Sequence, residues 1–236
     1  QDETLLEQAV QIGEFILNEL ILQEQVDRLC FAYIPGENAV VHNANLMGAR
    51  FLSRLYRVTS NVGYKNYAER SVRFSANFQR SDGAWEYGTR GHHRWVDNFH
   101  TGYNLVAMYD YQENCDDPQF SEVIEKGIAY HLKHHFTDTM IPKYTDGALY
   151  PIDIHCYAQA ILTFMTLKNF IPDYRGKLEQ LIDNVIRDFW DEKRHYFYYQ
   201  KQKWYTNKVP YIRWSQAWMF FALTHYLREC DGKEEN

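Results

Sequence analysis

His155-Cys156-Tyr157-Ala158-Gln159-Ala160-Ile161-Leu162-Thr163-Phe164-Met165-Thr166-Leu167 is apolar or small on nearly every side of a helix. Such a helix has no face to give to water, so other elements must surround it. Residues 215–227 have the same character. Two helices of this kind predict an inner layer wrapped by more polar helices.

Working outward, residues 4–25 place Leu5, Leu6, Ala9, Ile12, Phe15, Ile16 and Leu20 at helical spacing, with Thr4 and Glu7 as a capping box. After the turn at Pro35-Gly36, an apolar helix over 42–58 precedes a more polar one over 64–80. The pair recurs as 98–113 with 119–136 and as 153–169 with 174–190, and a last apolar helix spans 213–229. Phe78, Phe136 and Phe189 close the polar helices at intervals of 58 and 53 residues, each before an aromatic-bearing loop. Helix pairs with such a period stack so that each buries what its neighbour exposes. They can form an open solenoid or curl into a toroid, and the apolar helices favour the toroid. The expectation is a single all-α domain over 1–236, an α/α toroid of about eight helices. Residues 196–199 and 203–205 alternate aromatic and polar side chains, which predicts a short hairpin in the last loop.

Composition bounds the function. The chain has 236 residues, a net charge of -6 and no long basic run, which argues against a nucleic-acid surface. Aromatic residues make up 17% of it, an excess that asks for a role. Cys30, Cys115, Cys156 and Cys230 are scattered and lack CxxC spacing, so they read as reduced and mostly buried, hence cytoplasmic. No stretch approaches the roughly 20 apolar residues of a membrane span. The first residue is not Met, so an upstream segment is expected to be missing. His92-His93 and His134-His135 read as exposed loop or helix-end histidines. A Walker loop, a dinucleotide glycine fingerprint and a GxSxG elbow are lacking, as is the DDxxD motif of a prenyl or terpenoid toroid.

In a toroid of helix pairs, the starts of the inner helices gather round one mouth, where unpaired N–H groups favour anions. The residues there are His42, Asn43 and Asn45; Asp97, Asn98 and His100; Asp153 and His155; and Arg213, Trp214 and Ser215. Asp97 and Asp153 suit N-caps, and equally suit a pair of carboxylates doing acid and base work. His100 and His155 are candidates for proton transfer or are satisfied core histidines. Trp85, Tyr87, Trp95, Tyr103 and Trp214 are either core or aromatic faces for sugar rings. Asp153, His155, Cys156 and His100 include zinc-competent types, but without HExxH or paired CxxC spacing no metal is assigned. Nor is any cofactor.

His42-Asn43-Ala44-Asn45-Leu46, Asp82-Gly83-Ala84-Trp85-Glu86-Tyr87, Trp95-Val96-Asp97-Asn98-Phe99-His100-Thr101-Gly102 and Tyr150-Pro151-Ile152-Asp153-Ile154-His155 carry a resemblance. They resemble bacterial polysaccharide-biosynthesis proteins with a six-hairpin-glycosidase-like α/α toroid, over about residues 30–228. The resemblance implies a place in exopolysaccharide or capsule production, with related toroids acting as hydrolases, lyases and epimerases of sugars. Two features depart from it. Twelve helices are expected of a full toroid, and Ala84 stands where a small polar residue is expected.

Together these readings give a carbohydrate-active protein that binds an acidic sugar or oligosaccharide. Asp97, His100, Asp153 and His155 would be catalytic; His42, Asn43, Asn45, Trp85, Tyr87, Asn98, Tyr103, Arg213 and Trp214 would bind. The alternative is a non-catalytic sugar-binding or scaffold component, with other polysaccharide-assembly proteins as partners.

Overall fold

The computed structural model describes residues 3–231. The chain divides into two compact units, one of residues 1–96 and 103–127 and the other of residues 97–102 and 128–236.

The first unit opens with helix α1 (Glu3–Glu19). Thr4 lies inside it, so the capping box is not formed. The tail read as helix to residue 25 is instead a hairpin of β1 (Ile21–Glu24) and β2 (Leu29–Phe31), and Cys30 sits in its buried strand. Helices α2 (His42–Thr59) and α3 (Val62–Ala76) follow. Their turn is made by Ser60 in the left-handed region and by Asn61, whose side chain accepts from Gly63 N–H. Leu46, Ala49 and Leu52 of α2 and Ala68 and Val72 of α3 are fully buried. Through this apolar seam runs one polar strut. Asn45 accepts from Phe31 N–H and Ser71 Oγ and donates to Ser71 O and Ser75 Oγ, which satisfies every group of a buried amide.

Helix α4 (Asn98–Cys115) and helix α5 (Ser121–His134) each contribute to both units. In the second unit, β3 (Ile152–Asp153) leads directly into α6 (Ile154–Thr166), where ten residues are buried. The prediction of a surrounded helix is met here. Gly102, in the first turn of α4, has no room for a side chain, since a Cβ would lie 2.7 Å from Thr163 Oγ1 of α6. Helix α7 (Tyr174–Phe189) buries Leu178, Leu181, Val185 and Phe189 along one stripe. Short strands β4 (Trp190–Asp191) and β5 (Tyr196–Phe197) pair, and β6 (Gln200–Lys201) lies between β3 and β7 (Thr206–Asn207). The expected hairpin is therefore two, with its register moved towards 200–207.

The chain's last helix, α8 (Trp218–Asp231), follows a π-helical turn over Ile212–Ala217. It departs from expectation. Ser215, Met219 and Ala222 are buried, but Phe220 is 74% exposed and Leu227 58%, so residues 215–227 are not surrounded. His135 also departs, being fully buried, with its Nδ1 2.9 Å from that of buried His131. Burial, with the neighbouring His135, holds His131 well below the usual imidazole pKa. Among the described residues, no helix is long and apolar enough to cross a membrane.

Candidate functional site

Two helix starts build the site in the second unit. Asp97 precedes α4, and its Oδ1 accepts His100 N–H at 2.9 Å. Asp153 precedes α6, and its Oδ1 accepts His155 N–H at 2.8 Å. Both are therefore N-caps, satisfying N–H groups that the helix leaves unpaired. Each has a second oxygen, and those oxygens differ in what they meet. Asp97 Oδ2 lies 2.7 Å from His100 Nδ1, whereas Asp153 Oδ2 accepts from Gln200 Nε2 on the adjoining strand.

A cleft of about 210 Å³ is lined by Phe99, His100, Tyr144, Asp153, His155, Tyr199 and Trp214. Asp97 is not among its lining residues, and its side chain is 1% exposed. Its carboxylate meets the cleft residue His100. A carboxylate at Nδ1 holds the imidazole proton on that nitrogen and makes Nε2 the basic one.

His155 is clamped between rings. Phe99 stacks at 4.7 Å and Trp218 at 4.8 Å, both within 23° of parallel, and Trp214 adds a tilted contact at 5.9 Å. Burial, with help from the His100 and Arg213 charges, lowers its pKa to about 4, so it is neutral at pH 7. Asp153 is moved the other way. Burial raises its pKa despite the hydrogen bonds from Gln200 and His155, favouring a carboxyl that carries a proton. Tyr144 is pushed up to about 12, first by burial and then by Asp153. The arrangement holds an imidazole oriented by Asp97, a carboxyl whose pKa burial raises and a neutral imidazole against aromatic walls.

Arg213 and Trp214 lie on the exposed π-helical turn, the guanidinium 4.8 Å from the Trp214 ring centre. Asn98, expected to bind ligand, is fully buried; its N–H donates to Tyr144 O and its amide to His135 O, which fixes the loop carrying Tyr144. Among the described residues, no three His, Cys, Asp or Glu side chains gather as metal ligands would.

The remaining candidates belong to the first unit. His42 is buried against Ser75 Oγ, and burial lowers its pKa to about 4. Asn45 is the strut described above. Asn43 and Tyr103 are half-buried. Trp85 is 2% exposed and donates its indole N–H to Ser75 O, so its faces are covered by core. Tyr87 is half-buried and stacks on Trp95. Reading the sequence passed over Tyr144, Tyr199, Gln200 and Trp218. Tyr144 and Tyr199 were visible as aromatics in the interhelical loops, but nothing local marks Gln200, which reaches Asp153 only through β3–β6 pairing.

No family model matches the chain, and no curated protein matches it in sequence. Solved structures do match it in shape. A GH76 α-mannanase of Bacteroides thetaiotaomicron superposes on 100% of this chain and 65% of its own, with TM-score 0.74 and 9% identity. An unsaturated glucuronyl hydrolase of Bacillus sp. GL1 gives 0.72 at 11% identity, over 97% of this chain and 70% of that one. A cellobiose 2-epimerase of Bacillus thermoamylovorans gives 0.71 at 14%, over 89% and 61%. The chain thus spans about two thirds of the length of the proteins it resembles. What these likenesses establish is the fold, which is all-α and of the α/α toroid class.

Proposed function

We propose that the chain is a carbohydrate-active enzyme that transfers protons on an acidic sugar held in the cleft of the second unit. The observation that carries this reading is the pairing of an Asp97-oriented imidazole with a raised-pKa Asp153 on one aromatic-walled cleft. At about 210 Å³ it is smaller than the roughly 300 Å³ and upward of drug-sized pockets, which suits a single sugar ring. Tyr199 and Trp214 offer walls to its C–H faces, and Arg213 a partner for its carboxylate.

In this role His100 Nε2 takes the proton from the ring carbon next to the carboxylate, and Arg213 offsets the charge that develops. Asp153 then supplies a proton. Delivered to the opposite face of the carbon it completes an epimerisation; delivered to the departing glycosidic oxygen it completes a β-elimination. Hydrolysis by two carboxylates is less favoured, because Asp97 is spent on His100 and does not line the cleft. The shape likeness to a sugar epimerase and to a glucuronyl hydrolase, and the motif resemblance to polysaccharide-biosynthesis proteins, support a substrate from polysaccharide synthesis or processing.

The test is incubation with glucuronate, mannuronate and galacturonate oligomers in deuterated water. Deuterium entering the ring, or an unsaturated product absorbing in the ultraviolet, is expected with the wild type and lost in His100→Gln and Asp153→Asn. New reducing ends without either signal would instead make it a hydrolase. Binding without turnover in every form would leave a sugar-binding protein.

A further inference from the structure

Beyond the cleft, the hairpin of β6 and β7 and the segment after it carry rings and cations for which proton transfer has no use. Residues 193–228 contain no Asp or Glu, in a chain whose net charge is -6. Within that stretch the cations lie against rings. Lys203 Nζ is 5.0 Å from the centre of the Trp204 ring and Lys208 Nζ 4.9 Å from that of Tyr198, as the Arg213 guanidinium is 4.8 Å from that of Trp214. Lys201 is paired with Asp188 at 3.6 Å; among the described residues, the exposed Lys203, Lys208 and Arg213 have no such carboxylate partner.

The hairpin is continuous with the cleft. Gln200 of β6 donates to Asp153, and β6 pairs with β3 along Ile152–Asp153. Tyr199, a wall of the cleft, donates its N–H to Asn207 O of β7, and its ring meets that of Tyr211 edge-on at 4.9 Å. At the other end Gln202 N–H donates to Tyr205 O and closes the turn, where Trp204 is 86% exposed. Only four residues of chain lead from Gln200 to Trp204, so their Cα atoms lie within about 14 Å of one another. At 86% exposure most of the indole is in water, and Lys203 can cover one face of it only. An indole has two rotatable bonds to immobilise and the turn beneath this one is already closed, so stacking a ligand there costs little entropy.

We propose that the β6–β7 hairpin is an outer subsite for an anionic polysaccharide, holding the units next to the one in the cleft, with Trp204 as its stacking ring and Lys203 and Lys208 as its carboxylate partners. The substrate is then a polymer, and this rests on the reading of the cleft as an acidic-sugar site. A uronate chain repeats a C–H face and a carboxylate in every unit, and the hairpin repeats a ring with a cation. An anionic membrane also attracts exposed aromatics beside lysines. The polymer is favoured because the same segment supplies Tyr199 and Trp214 to the cleft itself.

The experiment is calorimetric titration of the Asp153→Asn protein, in which turnover is blocked, with galacturonate, glucuronate and mannuronate, each as the monosaccharide and as a longer oligomer. Acid oligomers should bind about tenfold or more tightly than their monosaccharides, and neutral oligosaccharides should show no such gain. Adding Trp204→Ala is expected to remove the gain, and Lys203→Glu with Lys208→Glu to reduce it in a salt-dependent way, with monosaccharide binding unchanged in both. These substitutions alter exposed side chains, unfolding curves check that each variant folds, and either one carries the test without the other. Deuterium uptake by the wild type reports on the cleft separately, so a missing length gain beside retained uptake overturns the outer subsite alone. A gain that survives both substitutions overturns it too, as does Trp204-dependent binding to phosphatidylglycerol vesicles without a gain for acid oligomers.

Discussion

His100 Nδ1 lies 2.7 Å from Asp97 Oδ2, while the other oxygen of the same carboxylate caps the backbone N–H of His100 itself. One side chain therefore fixes both where the imidazole starts and which nitrogen carries its proton. Asparagine caps a helix about as well as aspartate but presents an amide N–H to Nδ1, which reverses the tautomer. Asp97→Asn is thus expected to melt within a few degrees of wild type, yet to turn over roughly 100- to 10,000-fold more slowly. Melting curves beside rates check it. Full activity in this variant would remove the imidazole from the chemistry.

Gln200 reaches across the strand pair to Asp153 and works against the burial that raises its pKa. Replacing it by leucine removes an interaction that favours the carboxylate, so the proton is held to higher pH. The alkaline limb of the rate profile should move upward in Gln200→Leu, without a matching change in the acid limb. An unmoved limb would mean that some other group supplies the proton.

Burial without a cationic partner also makes Asp153 a cost to stability once it ionises. Because its folded pKa lies above the unfolded value, the carboxyl favours folding in acid, and that contribution is lost as pH rises through the folded pKa. Asp153→Asn should therefore be inactive and at least as stable as wild type at neutral pH, as judged by urea unfolding. A marked loss of stability would show that the carboxylate is needed for the fold.

How far the sequence reaches depends on what a residue's role requires. The caps Asp97 and Asp153 were legible because capping is a local relationship between an acid and the two or three residues after it. Burial of α6 was legible because an all-round apolar helix has no alternative. The same argument failed for α8, where Phe220 and Leu227 face outward, since composition records what could be covered and not what covers it. Residues 21–25 were read as the end of the first helix, and only pairing of β1 with β2 shows that stretch to belong to a hairpin. His135 looked like a solvated helix end because nothing in the sequence announces that the fold buries it beside His131. The site's unforeseen members have one cause: Gln200 and Trp218 reach Asp153 and His155 through tertiary contacts that no spacing announces.

Two tryptophans offered as sugar-stacking residues should separate cleanly on substitution. Trp85 is 2% exposed and its indole N–H is hydrogen bonded to Ser75 O, so Trp85→Ala leaves a cavity and removes that bond. A loss of about 3–5 kcal/mol in unfolding free energy is expected. Trp214 is 42% exposed at the edge of the cleft, so Trp214→Ala should cost stability much less and raise KM instead. The reverse pattern would place the sugar-contacting ring in the first unit.

The His155 imidazole, held between Phe99 and Trp218, should carry a distinct share of the acid sensitivity of the second unit. Its folded pKa of about 4 lies below the model-compound value of 6.5, so the unfolded chain binds the proton more readily. The neutral ring's contribution is complete above pH 6.5 and is lost progressively as pH falls towards 4, by about 3 kcal/mol in all. Phenylalanine keeps the stacking but has nothing to protonate. His155→Phe should therefore flatten the fall in melting temperature between those two pH values. What remains of the fall belongs to His42, which burial lowers to about 4 in the first unit, and to His131, which burial holds well below 6.5 in the second. An acid limb unchanged in His155→Phe would mean that the clamped ring protonates as easily as one in water.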